Sequence, residues 1–351
     1  MLECAQKYED FIKEKVQSKS AVPVGQGVLI WDEVKVQSRI IWNSSNSAII
    51  GYSMSSDDFI SLHDVYQGLS EEEKCQKTSY VIQFLWRDLS SSFDVVGPYY
   101  TCPSSIETKF FHSIVTRTML VFSQFGFHIR ALLCDGASNN LSLLKVFCGY
   151  VNNEKDIQAP WFKSPFDGEK VYLIVCPSHQ LKNMIAALYS SRVEGTKNFC
   201  RNGTTFGWST IESVYRSDLC RAQKGISRRV PGLKYSYIVR DSWTRLNVLP
   251  AKIMQQPYMI SAIREIAEKK DTMKEPHSLV ANYLRACNMI FENGILSHEK
   301  ITSMSSRPIV NMAEGMKWFF KWKEEEPDMG FVTYHVSRIQ RSLSRFFSEK
   351  S

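Results

Sequence analysis

The chain has 351 residues, 44% hydrophobic and 12% aromatic, enough apolar surface for two domains or for one domain carrying a large insertion. Its formal charge of +7 is unevenly placed: residues 1–189 hold 17 Lys and Arg against 20 Asp and Glu, net −3, and residues 190–351 hold 26 against 16, net +10. Nine cysteines without a C-x-x-C pair argue for a reduced compartment and against a disulfide framework or zinc site. No stretch approaches the roughly 18 apolar residues of a membrane span, and the charged segment Met1 to Lys19 lacks the apolar centre of a signal peptide.

Leu2, Ala5, Tyr8, Phe11, Ile12 and Val16 recur at helical spacing, predicting a short amphipathic helix. Ala21 to Gly27 then breaks any helix. Val28 to Val34 is a strand whose apolar run ends on two adjacent carboxylates, Asp32 and Glu33. Ser38 to Trp42 and Ala48 to Tyr52 are two further β-like runs around a polar turn, which together predict an antiparallel meander. Residues 53–76, with Glu71 to Glu73, predict a solvated loop. Tyr80 to Trp86 and Asp94 to Pro98 predict additional strand and turn. Ile106 to Phe125 is a helix with Phe110, Ile114, Thr118, Val121 and Phe122 on one face, stopped by Gly126. Ile129 to Cys134 follows at once as a strand and runs into Asp135 and Gly136.

Strand, helix and strand form a crossover unit, which places the second strand parallel to the first. Parallel neighbours present the same ends together, so Asp32 and Asp135 are expected at one edge of the sheet. A carboxylate there is either solvated or held by a cation. Ala137 to Asn140 then supplies turn and capping chemistry for a helix through Phe147. Residues 150–170 predict a loop, Val171 to Cys176 a buried strand, and Pro177-Ser178-His179 the start of a helix through Leu188.

There the alternation stops. Residues 190–294 carry long helical patterns, best at Ala251 to Ala267 and Leu279 to Phe291, with Pro231, Pro250, Pro257 and Pro276 as punctuation. The aromatic segment Trp318 to Trp322 reads as core packing. A final helix is expected over about 331–347 with Arg338, Arg341 and Arg345. The positive second half suits a polyanionic partner.

Four stretches, in this order, resemble the P-element transposase family and its THAP-domain relatives: Trp31-Asp32-Glu33-Val34-Lys35, Cys134 to Asn140, Pro177 to Asn183, and Pro231 to Ala251. The resemblance implies an α/β fold, a ribonuclease H-like mixed sheet interrupted by a mostly helical insertion domain. Its domains would be an N-terminal helix (1–20), the first part of the ribonuclease H-like domain (21–189), a GTP-binding-type insertion (190–294) and a truncated return toward the first domain (295–351). It implies that Asp32 and Asp135 are catalytic acids binding Mg²⁺ or Mn²⁺ for phosphodiester cleavage and strand transfer on DNA. Glu33 alternates to the opposite strand face and is not counted as a ligand. The family's third acid, on a helix beyond the insertion, has no counterpart motif around Glu314, Glu324, Glu325 or Glu326, and the zinc-binding THAP domain is absent. The expectation is therefore a transposase-derived chain that is catalytically incomplete, the alternative being a non-catalytic DNA-binding or interaction module.

For the insertion, the resemblance implies a GTP site without a phosphate-binding glycine loop, using Val248, Phe291 and Glu292, with Glu292 accepting from the guanine edge. Asn247, Gln256 and Ile295 depart from the family pattern there. Cys176 stands where the family has Asp, and His179, in a first helical turn, reads as a packing residue. DNA and GTP as partners, a homo-oligomer, no membrane and a nuclear location complete what the resemblance implies.

Overall fold

The computed structural model describes residues 10, 25–36, 41–43, 48–50, 79–102, 106–149, 160–241, 244, 246–269 and 274–327. Apart from Asp10, the helix expected over 2–16, and likewise the loop over 53–76 and the last helix over 331–347, lie outside the described residues. The chain forms two compact units, Met1–Val175 and Cys176–Ser351.

In the first unit the strands are β1 (Gln26–Lys35), β2 (Ile41–Asn43), β3 (Ala48–Ile50), β4 (Tyr80–Asp88), β5 (Asp94–Cys102), β6 (His128–Cys134), β7 (Trp161–Lys163) and β8 (Lys170–Val175). Its helices are α1 (Thr108–Gln124) and α2 (Ser138–Phe147). Six strands make one mixed sheet in the order β5-β4-β1-β6-β8-β7. β1 runs antiparallel to β4 and parallel to β6, and β6 runs parallel to β8.

The meander is therefore β1-β4-β5, and the runs expected as its second and third strands, β2 and β3, pair only with each other in a separate hairpin. Length and alternation decide this. Tyr80 to Asp88 buries Ile82, Phe84, Trp86 and Asp88 at every second residue, a nine-residue match for β1, which buries Gly27, Leu29 and Trp31. A three-residue strand offers no such face. Helix α1 covers the sheet with Phe111, Ile114, Val115, Thr118, Met119 and Phe122; the stripe sits one residue from the expected one at its start, with Phe110 exposed and Phe111 buried.

Trp31, Phe84 and Phe111 meet at ring separations of 5.8–5.9 Å, and each wholly buried aromatic contributes on the order of 2–3 kcal/mol. Gly27 is glycine because the Trp86 indole lies directly over its Cα, where a Cβ would collide with the ring.

The second unit holds α3 (Pro177–Ser190), β9 (Phe199–Arg201), β10 (Thr204–Phe206), α4 (Ser209–Gln223), α5 (Tyr235–Val239), α6 (Leu249–Met254), α7 (Pro257–Glu268), α8 (Lys274–Ile290), a π-helical turn (Phe291–Ile295) and α9 (Arg307–Glu325). It is thus mostly helical, as expected. It begins at Cys176, earlier than the boundary expected at 189, because α3 buries Leu181, Met184, Ile185 and Leu188 in this unit's core. The β9–β10 hairpin turns through Asn202 (φ 51°) and Gly203 (φ 77°), the left-handed pair a two-residue hairpin needs.

Helix α9, expected in a return toward the first domain, packs in the second unit. Phe319 and Trp322 are buried against Tyr283 of α8, and the Trp322 indole N–H donates to the Cys200 carbonyl at 2.8 Å. The aromatic segment is core, as its spacing indicated.

Candidate metal centre and nucleotide site

The ladder between β1 and β6 pairs Leu29 with Leu132 and Ile30 with Leu133. That ladder ends two residues before Asp32 and Asp135, so both acids lie near the same end of the β1–β6 pair.

Asp135 lies just past the end of β6, in the turn that starts α2. Its Oδ1 accepts from the Ala137 N–H at 2.9 Å and from Asn140 Nδ2 at 2.6 Å. Asn140 is itself fixed by the buried Trp31, whose indole N–H donates to Asn140 Oδ1 at 3.0 Å. The carboxylate on β6 is therefore oriented by a tryptophan on β1 acting through an asparagine on α2. Asp135 Oδ2 has no protein donor among the described residues. Asp32 is exposed, and its Oδ1 accepts only the Glu33 N–H, at 3.0 Å.

Glu33 lies on the strand face opposite Asp32, with Trp31, and Asn139 Nδ2 donates to its Oε1 at 2.8 Å. Burial raises its pKa above the ordinary range, and the charges of Asp135 and Asp32 raise it further, while the Asn139 hydrogen bond works the other way. Alternation along β1 showed its face but not this electrostatic coupling. Trp31, Asn139 and Asn140 were likewise visible only as a strand residue and as capping chemistry, since nothing in the spacing ties residues more than a hundred positions apart.

Glu33 thus feels the charges of Asp135 and Asp32, and none of the three has a Lys or Arg ion pair among the described residues. Such a concentration of negative charge suits a hard divalent cation. Mg²⁺ typically takes one or two carboxylates and completes its shell with water and substrate phosphate. Among the described residues no three His, Cys, Asp or Glu side chains converge as a metal cluster. Glu325 and Glu326 are engaged elsewhere: Glu325 pairs with Arg201, and Glu326 Oε1 accepts from the Asn202 N–H at 2.9 Å.

In the second unit, Val248 caps α6 and Gln255 ends it; Gln255 Nε2 lies 3.5 Å from Glu292 Oε2 on the π-helical turn. The six residues of α6 span about 9 Å, so Val248 and Glu292 sit toward opposite ends of that helix. Phe291 is wholly buried, so it seats Glu292 rather than presenting a surface of its own. Gln255 is fully buried and its Oε1 has no hydrogen-bond partner among the described residues, an acceptor left beside a carboxylate, and π-turns often mark functional positions.

Lys182, Arg240, Thr244 and Asn247 line a small cleft against Trp208 and Ala251. At the start of α3, burial raises the Cys176 pKa, but hydrogen bonds from the His179 side chain and N–H and from the Ser178 N–H lower it more, leaving it below the ordinary thiol value.

Residues 4–149 match the family model described as TNP-like, RNase H N-terminal domain. The whole fold matches a chain of the Drosophila P element transposase strand transfer complex with a TM-score of 0.63 and 14% identity, over 93% of this chain and 65% of that one. The chain therefore spans a little under two thirds of the relative's length. No curated protein matches it. Sheet order and crossover thus define a ribonuclease H-like fold: residues 4–149 are similar to the TNP-like RNase H N-terminal domain, and the chain shares its fold with the P element transposase.

Proposed function

We propose that this chain is a transposase-derived, DNA-binding protein in which Asp32 and Asp135 hold a divalent cation against a DNA phosphate. The observation that supports the reading is the parallel β1–β6 ladder, which ends two residues before each of the two acids. Mg²⁺ or Mn²⁺ bound there supplies Lewis-acid polarisation of a phosphodiester oxygen and of an attacking hydroxyl. The protein's own part is positional: Asn140 and the Ala137 N–H hold Asp135 through Oδ1 so that Oδ2 faces outward, and the Glu33 N–H does the same for Asp32.

With two acids rather than three among the described residues, the pair binds metal and DNA without cutting efficiently. That same observation favours the second reading, a module that keeps the fold and the DNA surface and performs no chemistry. In the second unit, the proposed ligand is GTP, with Glu292 accepting from the guanine edge beside Gln255 and Val248 placed along α6. A nuclear location and assembly into a homo-oligomer belong to the same reading. No helix among the described residues is long and apolar enough to cross a membrane.

Calorimetric titration with Mn²⁺, together with a nicking assay on duplex DNA, tests the site. The proposal expects one Mn²⁺ site weakened at least tenfold in Asp32→Asn and Asp135→Asn. Equal Mn²⁺ affinity in all three proteins sinks it. Nicking by the unaltered chain that disappears in Asp32→Asn would show cleavage, against the non-catalytic reading; equal nicking signals from both would support that reading.

A further inference from the structure

From Leu219 to Arg240 the chain carries six cations, Arg221, Lys224, Arg228, Arg229, Lys234 and Arg240, and no acid. The structure divides them sharply. Arg229 turns inward, bonded in bidentate fashion to Glu265 on α7, to Ser217 Oγ at 3.0 Å, and standing 3.7 Å from the buried Asp218. The next residue extends the anchor, its N–H donating to Asp218 Oδ2 at 2.9 Å. Arg240 is also turned in, over the Tyr189 ring.

This staple uses up the nearby acids. Glu265 is shared between Arg229 and Lys269, Asp218 is buried beneath Arg229, and Glu212 faces Arg216. What remains outside is a loop held at its middle whose other cations have no carboxylate partner among the described residues. Lys224, Arg228 and Lys234 are exposed and Arg221 is half-buried. Arg221 Nε donates to the Ser227 carbonyl at 3.1 Å and Arg228 Nη1 to the Leu233 carbonyl at 3.3 Å. These backbone bonds use one N–H of each guanidinium group and leave the others for a ligand. Tyr235, 66% exposed, stands at the end of the run and packs near Tyr215 of α4.

We infer that the loop joining α4 to α5 is a docking surface for the phosphate backbone of duplex DNA, with Arg221, Lys224, Arg228 and Lys234 as its contacts. Cations fixed on a stapled loop lose little freedom on binding, and guanidinium forks match phosphate oxygens. All four contacts are Lys or Arg reaching phosphate oxygens, which position the duplex and carry no sequence information of their own. The choice of DNA among polyanions rests on the function proposed above; the surface itself does not depend on the metal pair.

Each phosphate contact adds about 0.9 to the slope of log affinity against log salt. Replacing three contacts in Lys224→Gln/Arg228→Gln/Lys234→Gln therefore reduces that slope by about 2.7, and the loss of affinity between 50 and 200 mM KCl becomes about 40-fold smaller than in the unaltered chain. The measurement is fluorescence anisotropy of a labelled 30-base-pair duplex with the full chain. The charge-matched control is Lys274→Gln/Lys300→Gln/Lys317→Gln, and melting curves confirm that all three proteins fold. An unchanged slope in the first variant, or an equal drop in the control, overturns the inference while leaving DNA binding standing. No binding of any duplex at 50 mM overturns both. Displacement of the duplex by poly-glutamate as readily as by unlabelled DNA assigns the surface to an acidic protein and overturns the assignment to DNA.

Discussion

Asn140→Ala isolates the link between Trp31 and Asp135. Asn140 is 2% exposed and does two jobs at once, accepting from the Trp31 indole at 3.0 Å and donating to Asp135 at 2.6 Å. Removing it leaves the buried indole N–H without an acceptor, a cost of about 1–3 kcal/mol, and takes one of two donors from a carboxylate, worth about another 1–2 kcal/mol because the Ala137 N–H remains. The sum is about 2–5 kcal/mol, or a fall in melting temperature of roughly 4–20 °C if a unit of this size unfolds in one step. Trp31→Phe in the same background removes the orphaned donor, so the double variant regains about 1 kcal/mol relative to additivity. A hydrogen-bonded partner outside a metal's ligands typically carries 10–100-fold in metal affinity, so Mn²⁺ binding weakens by about that factor. Scanning calorimetry and Mn²⁺ titration read the two effects separately. An Asn140→Ala protein that melts with the unaltered chain and binds Mn²⁺ equally well refutes the reasoning.

Three further outcomes follow from particular contacts. The Arg229 and Lys269 hydrogen bonds depress the Glu265 pKa to about 2. Because its folded value lies below its unfolded value, the stabilisation is present above pH about 4.5 and is lost as pH falls toward 2; Glu265→Gln flattens acid unfolding across that window, and an unaltered profile contradicts the pairing. Gly27→Ala forces a methyl group into the Trp86 indole and destabilises the first unit by about 1–3 kcal/mol in urea unfolding, whereas a neutral result means the ring moves aside freely. Glu292→Gln weakens binding of a fluorescent GTP analogue by at least tenfold, with ATP unaffected; equal loss for both nucleotides rules out a guanine-reading role.

How far the sequence spoke depended on the range of the contact. Apolar runs ending on Asp32 and Asp135, with one crossover helix between them, foretold that β1 and β6 run parallel, because parallel pairing follows from chain direction alone. The same local signals failed for the meander. Ser38 to Trp42 and Ala48 to Tyr52 look as strand-like as Tyr80 to Trp86, and only the long match of β4 to β1 decides between them. Which core the apolar face of α3 joins was not legible either, since a helical moment does not name its partner; Leu181, Met184, Ile185 and Leu188 are buried in the second unit's core. Contacts such as Arg201 to Glu325 and Trp31 to Asn140 join residues more than a hundred positions apart. The basic run from Arg221 was plain as composition, but which of its cations face outward became visible only with the Arg229 staple.

The central claim is that Asp32 and Asp135 share a cation. Crystals grown with Mn²⁺ and measured for anomalous scattering test it most directly. The account predicts one peak about 2.0–2.3 Å from a carboxylate oxygen of each residue, with water on its remaining positions. Mn²⁺ bound by other residues while Asp32 and Asp135 stay unbridged contradicts it.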